Sequence, residues 1–477
     1  MRLYDTARGE VVPFEPGPLV TLYSCGITPY DAAHLGHAAV YLYFDLLQRR
    51  LRDAGHETRC VRNVTDVDDD ILRKARELGV HYLDLAAEEM ARFDAEMGML
   101  NLLPVYSEPR ATSAISEILS LIGAALDAGH AYESGGSVYF DVASFPRFGR
   151  VSGFGRSEML RLAAEHGGNP DDPHKRNPLD FVLWQPSLPD EPAWESRWGP
   201  GRPGWHIECS AMSTSLLGPY FDLHGGGEDL KFPHHENEIA QSCAACDTPF
   251  VKVWMHNGFV RVNDEKMSKS LGNFFTVREV LKTLRDPEVM RFFLLSSHYR
   301  GPINYSQAQL AQADETLLGL YRALKDSGAP RTADLAAAAQ GAAARAEVDS
   351  AAMRRFTAAM DDDFNTPEAL AVLQGVARDL NSAKAAGNAA DAAAAAATLR
   401  SLGQVLGVLQ QDPDAYLKRS VNADGMTDTE IESLLAARQA ARSARNFAES
   451  DRIRDRLSAA GILLEDRVGG PTQWRRA

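Results

Sequence analysis

The sequence predicts an α/β protein in which a domain built on a parallel sheet is followed by a helical bundle and a small basic module. Three observations lead to this prediction. Strand-like and helix-like segments alternate through the first third of the chain, and an alanine-rich, strongly helical pattern begins after about Tyr305. The tail from Ser433 to Ala477 carries nine arginines against five acidic residues, a local charge of +4 in a chain of net charge −15.

The parallel sheet follows from the first elements of the chain. Leu19 to Tyr23 is a short β-rich run, Ala38 to Asp53 has helical apolar spacing, and Thr58 to Val64 is a second β-rich run. A strand, a helix and a further strand in this order form a βαβ unit, whose two strands are parallel.

The rest of the first 305 residues is expected to extend this domain around an insertion. Arg110 to Gly129 has the pattern of an amphipathic helix, and the Gly-, Arg- and Pro-rich sequence from Val138 to Pro203 has few periodic segments. Strand character returns at Tyr220 to Leu223 and at Val251 to Val262. We therefore expect an α/β domain at 1–305 with an irregular insertion at about 110–203.

The alanine-rich region predicts helices because alanine is the best helix former. Leu335 to Ala346 and Ala389 to Ala397 are nearly alanine tracts, and Asn365-Thr366-Pro367-Glu368 has the capping side chain and early proline of a helix start. The expected C-terminal parts are a helical bundle at 306–410, a polar linker at 411–427 and a small basic module at 428–477.

Composition narrows the class of protein. The chain of 477 residues, with 45% hydrophobic and 24% charged residues, is typical of a soluble globular protein of two to four domains. Met1 to Pro18 lacks the apolar core of a secretory signal, no window is apolar enough for a membrane span, and five sparse cysteines indicate a reducing cytosol. The net charge disfavours a protein that coats nucleic acid non-specifically. Charge alone favours a solvated helix face for the basic tail, although a local phosphate-binding role stays open.

The first candidate functional motif is His34-Leu35-Gly36-His37, which follows the first predicted strand and opens the first helix. Two imidazoles beside outward-pointing backbone amides suit a polyanion such as a triphosphate, and Gly36 allows close backbone approach. The alternative is a helix start capped by two histidines.

The second motif is Lys266-Met267-Ser268-Lys269-Ser270. Two lysines three residues apart place mobile cations where they can stabilise charge on a leaving pyrophosphate. The alternative is an exposed basic turn.

The third constellation has the side chains of a metal site. His234 and Glu238 are four residues apart after Pro233, so they share one helix face, and Cys25 and Cys209 can supply two thiolates. Two thiolates, an imidazole and a carboxylate make a plausible zinc set. The neighbouring His235 and Glu236 are expected to point elsewhere.

A competing metal-binding pair is Cys243 and Cys246, a Cys-x-x-Cys spacing without a second pair. Because the two residues continue the same apolar helix, we interpret them as helix-face residues rather than as metal or redox groups.

The two signature motifs, about 230 residues apart in this order, resemble those of the class I aminoacyl-tRNA synthetases. Further segments resemble the cysteinyl-tRNA synthetase family in particular, and the resemblance runs from about Leu3 to Arg476. These segments are Cys25–Tyr30, Asn63–Asp69, Gly204–Ser210, Glu238–Ser242, Met360–Pro367 and Trp474–Arg476.

The resemblance implies a Rossmann-like catalytic domain that activates L-cysteine with ATP and Mg²⁺ and transfers it to tRNA(Cys). It implies one Zn²⁺ per chain, a cytoplasmic monomer and no membrane partner. The implied metal ligands are Cys25, Cys209, His234 and Glu238. The residues expected to stabilise transition-state charge are His34, His37, Lys266 and Lys269. Those expected to bind ATP are Gly36, His37, Gly226, Asp229 and Lys269. Those expected to bind cysteine are Thr65, Trp205 and Asp229.

The same resemblance implies that the C-terminal module reads the anticodon, with Trp474 and Arg475 contacting tRNA. Trp474 then offers a face for an unpaired base, or alternatively packs the module onto the bundle. Trp205 is likewise either a wall of the cysteine pocket or a core residue.

Two rival functions stay open at this point. The cysteine ligase of mycothiol biosynthesis uses the same adenylation chemistry, and Cys25 to Asp45 resembles it; Glu236 to Ser242 and the full C-terminal region argue against it. A tRNA-binding paralogue without catalytic activity is disfavoured by the two intact signatures.

Overall fold

The computed structural model describes residues 1–246, 248–267, 273–327, 350–419, 426–465 and 472–476. They divide into two compact units. Unit 1 comprises Met1–Arg278, Leu294–Tyr305 and Thr357–Ala369, and unit 2 comprises Glu279–Phe293, Ser306–Phe356 and Leu370–Ala477. Two segments depart from the predicted boundary at residue 305. Glu279–Phe293 precedes the boundary but belongs to unit 2, and Thr357–Ala369 follows it but belongs to unit 1.

A four-stranded parallel sheet forms the centre of unit 1, as the βαβ pattern predicts. Its strands are β3 (Leu19–Ile27), β4 (Glu57–Val64), β9 (Phe221–Gly227) and β10 (Val251–Asn257), in the order β10-β9-β3-β4. The helix α1 (Leu35–Asp53) links β3 to β4 and buries an apolar face that includes Leu42, Leu46 and Leu47. The sheet and this helix bring the carboxyl ends of the strands to one edge, where ligands bind in open α/β sheets.

The remaining helices of unit 1 surround this sheet. They are α2 (Asp69–Leu78), α3 (Tyr82–Met99), α4 (Ile115–Asp127), α5 (Arg156–Glu165), α6 (Trp205–Leu217) and α7 (His234–Cys246). The helix expected from Arg110 to Gly129 is present in two parts, because a 3-10 turn at Ala111–Ser113 precedes α4.

The insertion is more regular than the sequence indicates. It contains a four-stranded antiparallel sheet in sequential order, so the expectation of an irregular segment is wrong. The strands are β5 (Ala131–Ser134), β6 (Ser137–Phe140), β7 (Phe181–Pro186) and β8 (Gly201–Pro203). These strands, of three to six residues, are too short to show a clear alternating pattern, and long Gly- and Pro-containing segments separate β6 from β7 and β7 from β8.

Two small sheets complete unit 1. β1 (Arg2–Asp5) pairs with β2 (Glu10–Pro13), and β11 (Val260–Val262) lies between β12 (Glu265–Lys266) and β13 (Ile303–Tyr305). The segment Thr357–Ala369 joins this unit through ion pairs: the Arg50 guanidinium donates to both carboxylate oxygens of Asp361, at 2.9 and 3.0 Å.

Unit 2 is helical, as the alanine-rich sequence predicts. The helices that lie wholly or partly in it are α8 (Val277–Leu281), α9 (Pro287–Leu295), α10 (Gln307–Leu324), α11 (Ser350–Met360), α12 (Thr366–Ala385), α13 (Ala389–Leu406), α14 (Pro413–Leu417), α15 (Asp428–Ser443) and α16 (Phe447–Ala459). The cap predicted for α12 is confirmed by a 3.2 Å hydrogen bond from the Glu368 amide to Asn365 Oδ1. The alanine tract from Leu335 to Ala346 lies outside the described residues.

The first part of the expected linker is packed structure. α14 buries Tyr416 and Leu417, and the Tyr416 ring stacks on Tyr321 with centroids 3.9 Å apart. This short helix forms within a polar stretch because a proline starts it and two of its residues are buried.

The C-terminal module is a helix pair with a two-stranded antiparallel sheet, β14 (Ile462–Glu465) and β15 (Gln473–Arg476). Its own hydrophobic core consists of Ile431, Leu435, Ile453, Leu457, Ile462 and Trp474. Across the described ranges, no helix combines the length and apolar character that crossing a membrane requires.

Candidate active site

Four side chains of unit 1 converge where β3, α6 and α7 meet. Cys25 lies in β3, Cys209 in α6, and His234 and Glu238 in α7, and all four are buried. One ligand atom from each lies within 4.8 Å of the others. The structure thus brings together the complete metal-ligand set that the resemblance implies.

The local fold explains this convergence. The spacing of four places His234 Nε2 3.0 Å from Glu238 Oε1 on one face of α7. The backbone after Cys25 passes very close to β4. A Cβ atom on Gly26 would lie only 1.5 Å from the Asn63 carbonyl oxygen. Only glycine permits this approach, which sets the position of the preceding Cys25.

The donor set suits zinc in both chemistry and spacing. Tetrahedral zinc with sulfur, nitrogen and oxygen ligands holds neighbouring donor atoms roughly 3.3–3.8 Å apart. Cys25 Sγ is 4.0 Å from Cys209 Sγ and 3.4 Å from Glu238 Oε1. Small adjustments would therefore accommodate the ion.

Two of the donors, Glu238 and Cys209, are favoured in their anionic forms, whereas burial and the neighbouring Cys209 raise the pKa of the Cys25 thiol. Burial disfavours the Glu238 carboxylate, but His224 and His234 outweigh it and lower the pKa of Glu238 to about 2. Burial also opposes the Cys209 thiolate, yet the Cys25 and His234 side chains lower the pKa of Cys209 to about 6. Deprotonated carboxylate and thiolate are the forms that bind a metal.

A group of buried histidines, which the sequence pattern does not indicate, surrounds the four ligands. His224 Nε2 is 2.9 Å from Glu238 Oε2, and His235 Nε2 is 3.2 Å from Cys25 Sγ. The expectation that His235 points elsewhere is wrong, because residues three apart on a helix also lie on one face, as His235 and Glu238 do. Glu236 does point elsewhere, toward the loop after β6.

These histidines form a second geometrically possible ligand group, Cys25, His224, His235 and Glu238. Cys25, Cys209 and His234 line a large cleft, whereas His224 and His235 are not among its lining residues. His235 Nδ1 is instead 2.6 Å from His256 Nε2, behind the site. Histidines in this position are suited to orient ligands from the outer coordination shell.

The cleft, of about 1190 Å³, also contains the first signature motif. His34 caps α1 by accepting from the Gly36 amide at 3.0 Å, and its ring stacks on His37 with centroids 3.8 Å apart. The two histidines therefore do cap the helix, and they line the cleft as well. Capping and ligand binding are compatible roles here, since both residues line the cleft while the cap is made.

The other predicted small-molecule contacts divide into three groups. Thr65, Trp205 and Asp229 line the cleft, and the Trp205 ring stacks on His234. Gly226 lies next to the metal-ligand group, since a Cβ atom there would be 3.8 Å from Cys25 Cβ. Lys269 lies outside the described residues.

For Lys266 the structure describes only the backbone, in β12. Met267, the next residue, lines the cleft. The chain therefore enters the second signature motif at the edge of the cavity that contains the first.

The competing cysteine pair is separate from the metal-ligand group. Cys243 is buried and Cys246 half-buried near the end of α7, and neither belongs to a group of potential metal ligands among the described residues. Burial raises the pKa of both thiols.

The predicted tRNA contacts lie in the C-terminal module. Trp474 is 3% exposed and its indole nitrogen donates to Glu432 Oε1 at 2.7 Å, so its ring is part of the module's core. This packing favours the structural alternative for Trp474, within the module itself, over base stacking. Arg475, its neighbour in β15, is half-buried.

Comparisons with known proteins show which family the chain belongs to. The family model described as "tRNA synthetases class I (C) catalytic domain" matches residues 11–315, the DALR domain matches 355–410, and the "Cysteinyl-tRNA ligase anticodon binding domain" matches 424–475. A cysteine–tRNA ligase of Methylococcus capsulatus is 53% identical, with 100% of both chains covered. One of Thioalkalivibrio sulfidiphilus is also 53% identical, covering 99% of this chain and 98% of that protein.

The chain belongs to the cysteine–tRNA ligase family. Its parallel-sheet domain is a class I synthetase catalytic domain, which confirms the predicted fold class. Mycobacterium tuberculosis methionyl-tRNA synthetase in complex with methionyl-adenylate has the same fold, with a TM-score of 0.56 at 18% identity, covering 84% of this chain and 91% of that one.

Proposed function

We propose that this chain is a zinc-dependent ligase that activates L-cysteine with ATP and Mg²⁺ and transfers it to tRNA(Cys). The observation that carries the proposal is the convergence of Cys25, Cys209, His234 and Glu238, the first three of which line a cleft that His34 and His37 also line. Membership of the cysteine–tRNA ligase family supports the same reaction.

The four donors would hold one zinc ion next to the substrate side chain. When bound, the ion supplies a coordination position that accepts a thiolate much better than a hydroxyl. This matters because cysteine and serine are nearly the same size, and a simple pocket separates such substrates by only ~1–3 kcal/mol. Cys25, Cys209 and His234 line the cleft, which is the arrangement that substrate reading requires.

The other cleft residues would orient the reactants. Asp229, in a short turn after β9, is suited to the substrate ammonium or a ribose, and Thr65 and Trp205 to the cysteine pocket. Gly36 and Gly226 would let the backbone approach ATP.

The first step is attack of the cysteine carboxylate on the α-phosphate of ATP, which releases pyrophosphate. His34, His37, Lys266 and Lys269 would stabilise the charge that develops on the phosphates. The terminal adenosine of tRNA then attacks the acyl group through its ribose hydroxyl, and AMP leaves.

The C-terminal module would read the anticodon, with Arg475 contributing to phosphate affinity. Its match to the anticodon-binding model over residues 424–475 also favours tRNA over an amino sugar as the acceptor. The mycothiol-pathway ligase is therefore the weaker alternative. We further propose a cytoplasmic, monomeric enzyme.

The test combines metal analysis with two activity assays on the purified full chain. One zinc per chain, cysteine-dependent pyrophosphate exchange and charging of tRNA(Cys) are expected. Exchange without tRNA charging would assign a different acceptor, and exchange by a zinc-free preparation would refute the metal's role.

A further inference from the structure

The active-site cleft has a wall formed by the inserted segment. Its volume of about 1190 Å³ exceeds the roughly 300–1,000 Å³ of an ordinary small-molecule site. The inserted residues on its wall include Tyr139 in β6, Val182 in β7 and Lys175 in the loop between α5 and β7. The cleft therefore has room for more than an amino acid and a nucleotide.

Lys175 places a cation in this wall that no described side chain binds directly. Its side chain is half-buried and lines the cleft. In the part of the chain that the structure describes, its ammonium makes no hydrogen bond and no ion pair within 4.0 Å, although Asp172 and Asp180 are close enough to attract it. Burial lowers the pKa of Lys175, so an unpaired ammonium here is costly unless a ligand anion meets it.

The nearby carboxylates are already engaged by other donors. Asp172 accepts from the Tyr139 hydroxyl at 2.8 Å, and Asp180 accepts from the Tyr132 hydroxyl at 2.7 Å and the Val142 amide at 3.0 Å. These contacts hold both carboxylates in place and leave the lysine ammonium for a group that enters the cleft.

The position of Lys175 is on the metal side of the cleft. The same inserted wall includes Phe181, whose ring meets the His206 imidazole edge to face with centroids 5.7 Å apart, and His206 Nδ1 is 2.9 Å from Nδ1 of the ligand His234. The cysteine acyl group must lie near this side if its thiol is read by the metal. The nucleic acid end that accepts the acyl group must therefore come here as well.

We propose that Lys175 binds a backbone phosphate at the acceptor end of the tRNA and positions the terminal ribose for acyl transfer. The inference rests on the proposed function and extends it by a positioning residue. A phosphate of ATP offers the same chemistry, but four other side chains, those of His34, His37, Lys266 and Lys269, are already proposed for it. Phosphate contacts of this kind fix the register of a nucleic acid rather than read its sequence.

The test separates activation from transfer in the full-length, zinc-loaded enzyme. Lys175→Met should leave cysteine-dependent pyrophosphate exchange within about twofold of wild type and slow single-turnover transfer from preformed adenylate roughly tenfold or more. The slope of log affinity for tRNA against log salt concentration should become shallower by the amount that corresponds to about one phosphate contact. Lys175→Arg should restore most of the transfer rate because it keeps the charge.

The matched control is the neighbouring cation. Arg176 lies over the Tyr132 ring, 4.0 Å from its centroid, and does not line the cleft, so Arg176→Gln should change neither activity. Zinc content and thermal stability of each variant check folding.

Three results would overturn the inference. Equal slowing of exchange and transfer would assign Lys175 to ATP, and unchanged transfer with an unchanged salt dependence would leave it without a ligand role. If the wild-type enzyme itself lacked cysteine-dependent exchange, the proposed function would fail first, and this outcome is distinguishable because it does not depend on the variant.

Discussion

The indole ring of Trp205 stacks on the imidazole of His234, with ring centroids 4.2 Å apart and planes at 29°. The same imidazole belongs to the metal-ligand group and is 2.9 Å from His206 on its other nitrogen. Trp205 also lines the cleft. Trp205 therefore packs against a proposed zinc ligand and also forms part of the cleft wall. The two alternatives for this residue, pocket wall and packed residue, are compatible.

This stack predicts a measurable effect of Trp205 on the metal. Trp205→Ala should weaken zinc affinity roughly two- to tenfold, because a stacked aromatic pair contributes ~0.5–1.5 kcal/mol. Trp205→Phe should retain most of the affinity. Zinc competition with a chelator measures both, and an alanine variant with wild-type affinity would mean that the ring serves only as a cleft wall.

Cys209 is predicted to be essential for zinc and for cysteine activation. Cys209→Ser should lose bound zinc and reduce cysteine-dependent pyrophosphate exchange by more than ~100-fold, since a hydroxyl replaces a thiolate in a buried site. Cys243→Ser is the matched control because Cys243 lies in α7 outside the ligand group. If Cys243→Ser lost zinc and Cys209→Ser kept it, Cys243 rather than Cys209 would be the metal ligand.

Glu236 is predicted to stabilise the loop of the inserted segment rather than the metal. Its carboxylate accepts hydrogen bonds from the amides of Gly149 at 2.7 Å, Val151 at 3.1 Å and Ser152 at 2.9 Å. Glu236→Gln replaces one of the two acceptor oxygens with an NH2 donor, so local opening should become easier by ~1–3 kcal/mol. Hydrogen exchange of these three amides measures the change.

The control for this prediction is Glu195→Gln, which alters an exposed carboxylate and should leave the same amides protected. Zinc content should stay at one per chain in both variants. Unchanged exchange at 149–152 in Glu236→Gln would show that the loop is held by other contacts.

The sequence predicts contacts within one helix or strand, whereas contacts between elements that only the fold brings together are not predicted. His234 and Glu238 could be paired from helical spacing, and the parallel sheet followed from local patterns. The contact of His224 with Glu238 joins two different elements, β9 and α7. The helical or strand spacing of the sequence therefore does not predict it. Spacing also gives two answers on a helix, because positions three and four apart are both neighbours, and this explains the error at His235.

Lys175 shows the same limit in the insertion. Its place in the cleft depends on the antiparallel sheet of β5–β8, whose strands are too short for a clear pattern. Trp474 shows a different limit: a tryptophan beside arginines is equally typical of a core and of a base-stacking surface. Only its burial against Ile431 and Leu457 distinguishes the two.

Lys269 is predicted to act on the transition state of activation. Lys269→Ala should slow adenylate formation by roughly 100-fold while the dissociation constant for cysteine stays within about threefold, because its cation acts on charge that develops on pyrophosphate. Lys282→Ala, an exposed lysine in the following segment, is the control. Pre-steady-state kinetics separate the two constants. A normal rate with weakened cysteine binding would contradict the assignment.

The last prediction concerns Trp474 and the function of the C-terminal module. Because the ring is packed in the module's core and hydrogen-bonded to Glu432, Trp474→Ala should unfold the module, at a cost of ~3–5 kcal/mol. Charging of tRNA(Cys) and its sensitivity to anticodon substitutions should then be lost. Pyrophosphate exchange should persist, since every described residue proposed for activation lies in unit 1.

Arg475→Ala separates binding from folding in the same strand. It should raise the KM for tRNA severalfold, as loss of one phosphate contact does, while circular dichroism shows that the module stays folded. Trp474→Phe should keep the module folded and retain most of the charging activity. If Trp474→Ala instead left the module folded, by circular dichroism and limited proteolysis, and still abolished anticodon discrimination, the ring would be a direct tRNA contact, and the buried state would not be the one that binds tRNA.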